Sequence, residues 1–260
     1  MAEGSTSVLL EIRNSVAWIQ FNRAPVNAID WPMLHLVRQR FDQAIAEPKC
    51  RVIVLASAMP KYFSAGADLA AFRNIGRERM RQWASDCHDL VRVMRNSPKP
   101  LLAAINGTAV GGGLEMTLHC DLRFAASNAR LGQPEIAISF IPPVGATQAL
   151  ARLIGRPRAI RYLYDGKLVE AKDAFEWGLV DELVAPEELH ARVQSYAEEL
   201  AAKPAPALAA IRRTITLGGS VTFEDGLKLE LETAGDLAAT KHFEEGVEAF
   251  LAKRKPNWPE

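Results

Sequence analysis

The 260-residue sequence predicts an α/β fold built from repeated β/β/α units. Short apolar, β-branched runs alternate with amphipathic helical stretches through most of the chain. Turns of glycine and other small residues join them. From Glu187 onward the strand signal fades and helices follow one another. A soft boundary is therefore expected near residue 200, around Lys203-Pro204-Ala205-Pro206, between a core of residues 1–200 and a helical region of residues 201–260.

The elements follow in order. Val8 to Asn22 contains Val16-Ala17-Trp18-Ile19-Gln20-Phe21, an apolar run with partial alternation that suits a strand. Ala24-Pro25-Val26-Asn27-Ala28 reads as a loop. Met33 to Ala46 is predicted helical, because Leu34, Val37, Phe41 and Ile45 recur at spacings of three and four. Arg51 to Ala56 suits a buried strand. Phe63 to Asp68 makes a small-residue turn ahead of a second helical stretch. Leu101 to Ile105 is strand-like and runs into Asn106-Gly107-Thr108-Ala109-Val110-Gly111-Gly112-Gly113-Leu114-Glu115. Asp121 to Ala125 is a further short strand. Near the C-terminus Thr222 and Asp225 resemble a capping box, and Phe223, Leu227 and Leu231 repeat every four residues. Val247, Phe250 and Leu251 share one side of the final helix. The Lys253-Arg254-Lys255 cluster is expected to favour its C-terminal dipole, and Pro256 to stop it.

Composition narrows the function classes. The 31 basic and 31 acidic side chains cancel, so no global field favours nucleic acid or an anionic membrane. Cys50, Cys87 and Cys120 are widely spaced and lack C-x-x-C, which argues for reduced thiols in a cytoplasm-like compartment. No apolar run reaches the roughly 20 residues that a bilayer span needs. Met1 to Val8 lacks the basic and apolar regions of a secretory signal.

The densest chemistry lies in the glycine-rich turn. Three consecutive glycines let a ligand press against bare backbone, and a helix beginning there aims unpaired N–H groups at it. Glu115 follows in the first helical turn. Donors beside a carboxylate suit a reaction that builds negative charge on an oxygen while a proton moves. No Gly-Lys-Ser/Thr follows, and the spacing does not match G-x-G-x-x-G, so nucleotide-phosphate loops are excluded. There is no H-E-x-x-H and no G-x-S-x-G. A tight strand-to-helix connection remains the simpler reading of the turn taken alone.

Further motifs occur in a fixed order: Ser64-Ala65-Gly66-Ala67-Asp68-Leu69, the glycine turn ending in Glu115, Gly132-Gln133-Pro134-Glu135, and Glu176-Trp177-Gly178-Leu179-Val180-Asp181. The chain closes on Ala249-Phe250-Leu251-Ala252-Lys253-Arg254. This combination, from about Val8 to Trp258, resembles the crotonase superfamily, the enoyl-CoA hydratase/isomerase family. The resemblance implies a crotonase-like spiral of β/β/α units with a C-terminal helical trimerisation region, assembled as a homotrimer or a hexamer of two trimers. It implies an acyl-CoA thioester substrate, no cofactor beyond the coenzyme A of that substrate, and no metal. The oxyanion hole would be the backbone N–H groups of Ala67 and Gly112, with Glu115 and Glu135 as the acid/base pair. Val26, Ala28, Ala65, Asp68, Leu69, Ala70 and Lys253 would bind substrate or CoA, Lys253 reaching a neighbouring subunit's ligand.

Two departures stand out. Pro143 in Ile141-Pro142-Pro143-Val144-Gly145 occupies the place of a glycine whose N–H helps to hold the attacking water in hydratases, and proline has no N–H. Ala70 replaces a lysine that often binds CoA phosphates; Arg73, one turn on, is a candidate substitute, although a solvated helix arginine is the more ordinary reading. The expected function is enoyl-CoA hydration. Double-bond isomerisation, with Glu135 shuttling the proton, is the enzymatic alternative, and a non-catalytic acyl-CoA binder the other. RNA binding through Arg73, Arg77, Arg79 and Arg81 is weakened by Glu78 within the run and by overall neutrality. His88 and His119 read as ordinary helix histidines, although His119 lies four residues after Glu115.

Overall fold

The computed structural model describes residues 6–259. Residues 1–5, which hold most of the segment read for a secretory signal, and residue 260 lie outside the described residues. The chain opens on a hairpin, β1 (Val8–Arg13) against β2 (Val16–Phe21), paired from Val8↔Phe21 to Arg13↔Val16. The sequence reading marks only the second strand. The turn between them is the pair Asn14-Ser15, both at positive φ (48° and 64°), as a two-residue hairpin requires.

Helix α1 (Trp31–Ala46) begins two residues before the prediction, because Asp30 caps it by accepting from the Met33 N–H at 2.9 Å. Three turns of β/β/α follow. The first is β3 (Val52–Ser57), β4 (Tyr62–Ser64) and α2 (Arg77–Asn96), with a 3₁₀ turn at Leu69–Phe72. The second is β5 (Leu101–Ile105), β6 (Thr108–Val110) and α3 (Gly112–Thr117). The third is β7 (Leu122–Ala126), β8 (Arg130–Gly132), a 3₁₀ turn at Glu135–Ile138, and α4 (Ala146–Leu153).

The first strand of each unit joins one sheet, in the order β1-β2-β3-β5-β7-β10, and the second joins another, β4-β6-β8-β9. Here β9 is Leu168–Glu170 and β10 is Glu182–Val184. From β2 to β10 the larger sheet is parallel. Each unit is thus one turn of a spiral. β3 and β5 are buried along their whole length, which is why they read as continuous apolar runs and not as alternating ones.

Helices α5 (Arg156–Asp165) and α6 (Ala171–Glu176) flank β9, and α7 (Leu189–Ala201) packs on the larger sheet. Then come α8 (Ala205–Gly218), α9 (Phe223–Ala238) and α10 (Lys241–Leu251). Arg212 on α8 ties this region to the core by pairing with Asp121 at 2.9 Å and donating to the carbonyls of Met94, Arg95 and Ser97. Thr222 caps α9 as anticipated, its hydroxyl accepting from Asp225 N–H at 3.2 Å and donating to the Asp225 carboxylate at 2.7 Å. The basic cluster begins where α10 ends: Lys253 is left-handed at φ 54°, its N–H donates to Phe250 O at 3.2 Å and the Arg254 N–H to Ala249 O at 3.0 Å, while the Arg254 side chain pairs with Glu245 at 2.6 Å. Among the described residues no helix is long and apolar enough to cross a membrane.

Candidate active site

The Ile29–Ala67 contact builds one side of the site. Ile29 N–H donates to Gly66 O and Asp68 N–H to Ile29 O, both at 2.8 Å. In a parallel pairing of this kind the intervening residue's own N–H points the other way. The Ala67 amide is therefore turned away from Ile29, and Ala67 lines the pocket. The opposite side is the start of α3. Gly111 sits at φ 51°, its N–H tied to Gly132 O at 3.0 Å, and Gly112 begins the helix with a first-turn N–H that has no intrahelical partner. A side chain at Gly111 would reach within 2.7 Å of a Glu135 oxygen, and one at Gly113 would collide with Ser64. The glycines let β4, α3 and the Glu135 turn close on one point.

Ala67, Gly112, Glu115 and Glu135 all line one pocket of about 230 Å³. Its other walls are apolar, with Leu34, Trp83, Cys87 and Met116 among them. Trp83 is locked edge-to-face against Trp31 and Phe72, with ring centroids 4.9 and 5.0 Å away. Among the described residues no group of three or more His, Cys, Asp or Glu is placed to hold a metal ion.

The two carboxyls differ in setting. Glu115 is fully buried, and its Oε2 accepts from the N–H groups of Val144 at 2.7 Å and Ala146 at 3.0 Å. Its Oε1 has no partner among the described residues. Burial raises its pKa to about 8, against the Ala146 N–H; the Glu135 charge adds to the rise, and the Val144 N–H opposes it. Glu135, at the start of its 3₁₀ turn, is only partly buried, and burial raises its pKa to about 6. The buried Gln133 amide lies against it, with nitrogen 3.1 and 3.2 Å from its two oxygens in the orientation that satisfies both groups.

The other anticipated residues are distributed unevenly. Ala65 and Leu69 line the pocket, whereas Val26, Ala28, Asp68, Ala70 and Lys253 do not. Val26 O accepts from Ala65 N–H at 2.9 Å, and Ala28 O from Arg23 at 2.6 Å. Asp68 pairs with the same Arg23 at 3.0 Å and caps the 3₁₀ turn through Ala70 N–H at 3.2 Å. Ala70, Arg73 and Lys253 are exposed. Pro143 forms part of the pocket wall beside Val144. Of the basic run, Arg79 stacks over the Trp31 ring at 4.2 Å.

Over residues 11–260 the chain matches the family model described as enoyl-CoA hydratase/isomerase. The chain belongs to that family. It is 32% identical to a crotonyl-CoA hydratase of Syntrophomonas wolfei, with 97% of each chain covered. It is 30% identical to a short-chain-enoyl-CoA hydratase of Clostridium acetobutylicum, with 96% of each covered. The crystal structure of an enoyl-CoA hydratase from Bacillus anthracis superposes with a TM-score of 0.92 at 33% identity, covering 97% of this chain and 99% of that one.

The candidate site also contains residues that the sequence reading passed over. The amides of Val144 and Ala146 are backbone groups without a side-chain signature. Trp83 and Cys87 recur with Leu90 and Met94 along the buried face of α2, so in sequence they are indistinguishable from core. Their one distinguishing signal would have been the aromatic density of Trp31, Phe72 and Trp83 around a single helix.

Proposed function

We propose that this protein adds water across the α,β double bond of an acyl-CoA thioester. The observation that carries the reading is a pair of carboxyls with raised proton affinities, about 8 and about 6, on one pocket that Ala67 and Gly112 also line. The thioester oxygen accepts from the Ala67 and Gly112 N–H groups. Water attacks the β-carbon and gives its proton to the ionised carboxylate. The π electrons move onto the thioester oxygen as an enolate, and the α-carbon then takes the proton held by the other carboxyl. The pair ends with the one proton it began with. Preorganised donors of the oxyanion-hole kind are worth about 3–4 kcal/mol each in other acyl-transfer enzymes.

The apolar end at Leu34, Trp83 and Met116 receives the acyl tail. Val26, Ala28, Ala65, Asp68, Leu69 and Ala70 border the path of the CoA portion. Residues 1–200 carry this site and residues 201–260 an assembly surface. Phe223 and Phe250 are each 84% exposed and Leu231 is 71% exposed, which supports a homotrimer or a hexamer in which Lys253 reaches a neighbouring ligand. No cofactor beyond the substrate's CoA is invoked, and the three free cysteines suit a reducing cytoplasm.

Pro143 favours one second reading. With no N–H there to share in holding water, Glu135 alone could move a proton between carbons and isomerise the double bond. Incubation with a short trans-2-enoyl-CoA and with its 3-enoyl isomer separates the two. Hydration yields a product heavier by one water, and isomerisation converts the 3-enoyl compound with no mass change. Tight binding without turnover of either would reject both.

A further inference from the structure

His119 shares a buried segment with Glu115, four residues on, past the end of α3. It is 7% exposed, and its Nε2 lies 2.7 Å from Val144 O. A carbonyl can only accept, so Nε2 carries the hydrogen and donates it. Nδ1 is then the bare nitrogen, buried and unpartnered among the described residues. Burial, opposed by the bond to Val144, lowers the ring's pKa to about 4, with Arg95, Arg123 and His88 adding to the effect. The ring is therefore a neutral, fixed donor throughout the working range.

The segment opposite is gripped at both polarities. Val144 N–H and Ala146 N–H go to Glu115 Oε2, while Val144 C=O receives His119. Between them Gly145 stands at φ 97°, where a side chain would come within 3.0 Å of the His119 ring. Ring and backbone are thus in close contact. On the N-terminal side Pro143 supplies no donor, and among the described residues the N–H groups that hold the Glu115 carboxylate are those of Val144 and Ala146, on the segment His119 grips.

We propose that His119 is a positioning residue, which holds Val144–Ala146 so that two amides fix Glu115 Oε2 and leave Oε1 free for proton transfer. The proposal rests on the hydratase reading for its kinetic consequence, but not for its structural one. Loosening the two amides removes hydrogen bonds from the charged form of Glu115, so the Glu115 pKa must rise.

The test uses His119→Leu, which cannot donate, and His119→Gln, whose amide can. Hydration of a short trans-2-enoyl-CoA and carbon-13 NMR titration of the Glu115 carboxyl are measured in parallel. His119→Leu is expected to lower kcat by about 10- to 100-fold, the scale of a small misplacement at a reacting group. KM should change less than about twofold on the same argument, and the Glu115 titration should move to higher pH. His119→Gln should restore most of kcat and return the titration toward the parent. An unshifted Glu115 titration in folded His119→Leu would overturn the proposal. So would a His119→Gln protein that folds yet is as impaired as the leucine variant. A shifted titration in a protein that does not hydrate at all would reject the hydratase reading and leave the positioning role standing.

Discussion

Glu115 and Glu135 face one pocket from opposite kinds of structure. Glu115 lies in a helix buried along its whole length, behind Gly111 and Gly113, where a Cβ would press on Glu135 and Ser64, with one oxygen held by two backbone N–H groups. Glu135 starts a 3₁₀ turn with no buried residue, next to Ile136 and Ile138, each about half exposed. Burial is the largest cause of both raised proton affinities, about 8 for Glu115 against about 6 for Glu135. The higher value also contains the neighbour's charge, because Glu135 is already ionised when Glu115 titrates. The lesson is that a single fold can give two identical side chains complementary protonation states by placing one in the wall and the other at the rim.

The largest effect that would test this contrast is loss of either carboxyl. General acid–base groups contribute about 10²- to 10⁴-fold. Glu115→Gln is expected at the upper end, near 10³-fold or more, because its amide would be fixed by the same N–H groups with no proton to exchange. Glu135→Gln is expected nearer 10²-fold, since water can reach the rim and substitute in part. Hydration rates of both variants measure this. Equal losses would mean that the pair acts as one unit, and full activity in Glu115→Gln would end the hydratase reading.

Titration gives the next contrast. Below about pH 6 both carboxyls are protonated and no base remains; above about pH 8 both are ionised and no acid remains. The rate should form a bell between those limits. Stability carries a matching signature. The Glu115 pKa is raised from 4.5 to about 8, so between those values the folded chain keeps a proton that the unfolded chain releases. Stability contributed by this group is therefore complete below about pH 4.5 and falls as pH rises toward 8. Glu115→Gln should remove that loss, and its gain in Tm over the parent should be larger at pH 8 than at pH 5. A gain independent of pH would place the strain elsewhere.

The same contrast explains what could be read without coordinates. β3, β5 and α1 were legible because burial on both faces, or along one helical stripe, leaves a periodic apolar pattern. β4, β6 and β8 have three residues each, too few to show a period, yet they make the second sheet and so the spiral. That part of the architecture came from resemblance alone. In the site, Glu115, Glu135, Ala67 and Gly112 stood in recognisable motifs and meet at one pocket. The clamp on Glu115 is made of backbone N–H groups, which any residue but proline would supply, so no motif announced it.

The smallest predicted effect concerns Pro143, on the pocket wall beside Val144. Val144 N–H is already committed to Glu115, so it cannot compensate for the donor that proline lacks. If holding water limits the reaction, Pro143→Gly restores an amide at that wall and should raise kcat for hydration by a few-fold, on the order of one net hydrogen bond less the cost of a looser loop. The competing outcome is physically distinct. Glycine also frees the backbone next to Val144, and if the rigidity of Pro142-Pro143 is what keeps the Glu115 clamp in register, kcat should fall and the upper pH limit should move upward. Measuring kcat across pH for this one variant decides whether the proline costs the enzyme a donor or gives it a brace.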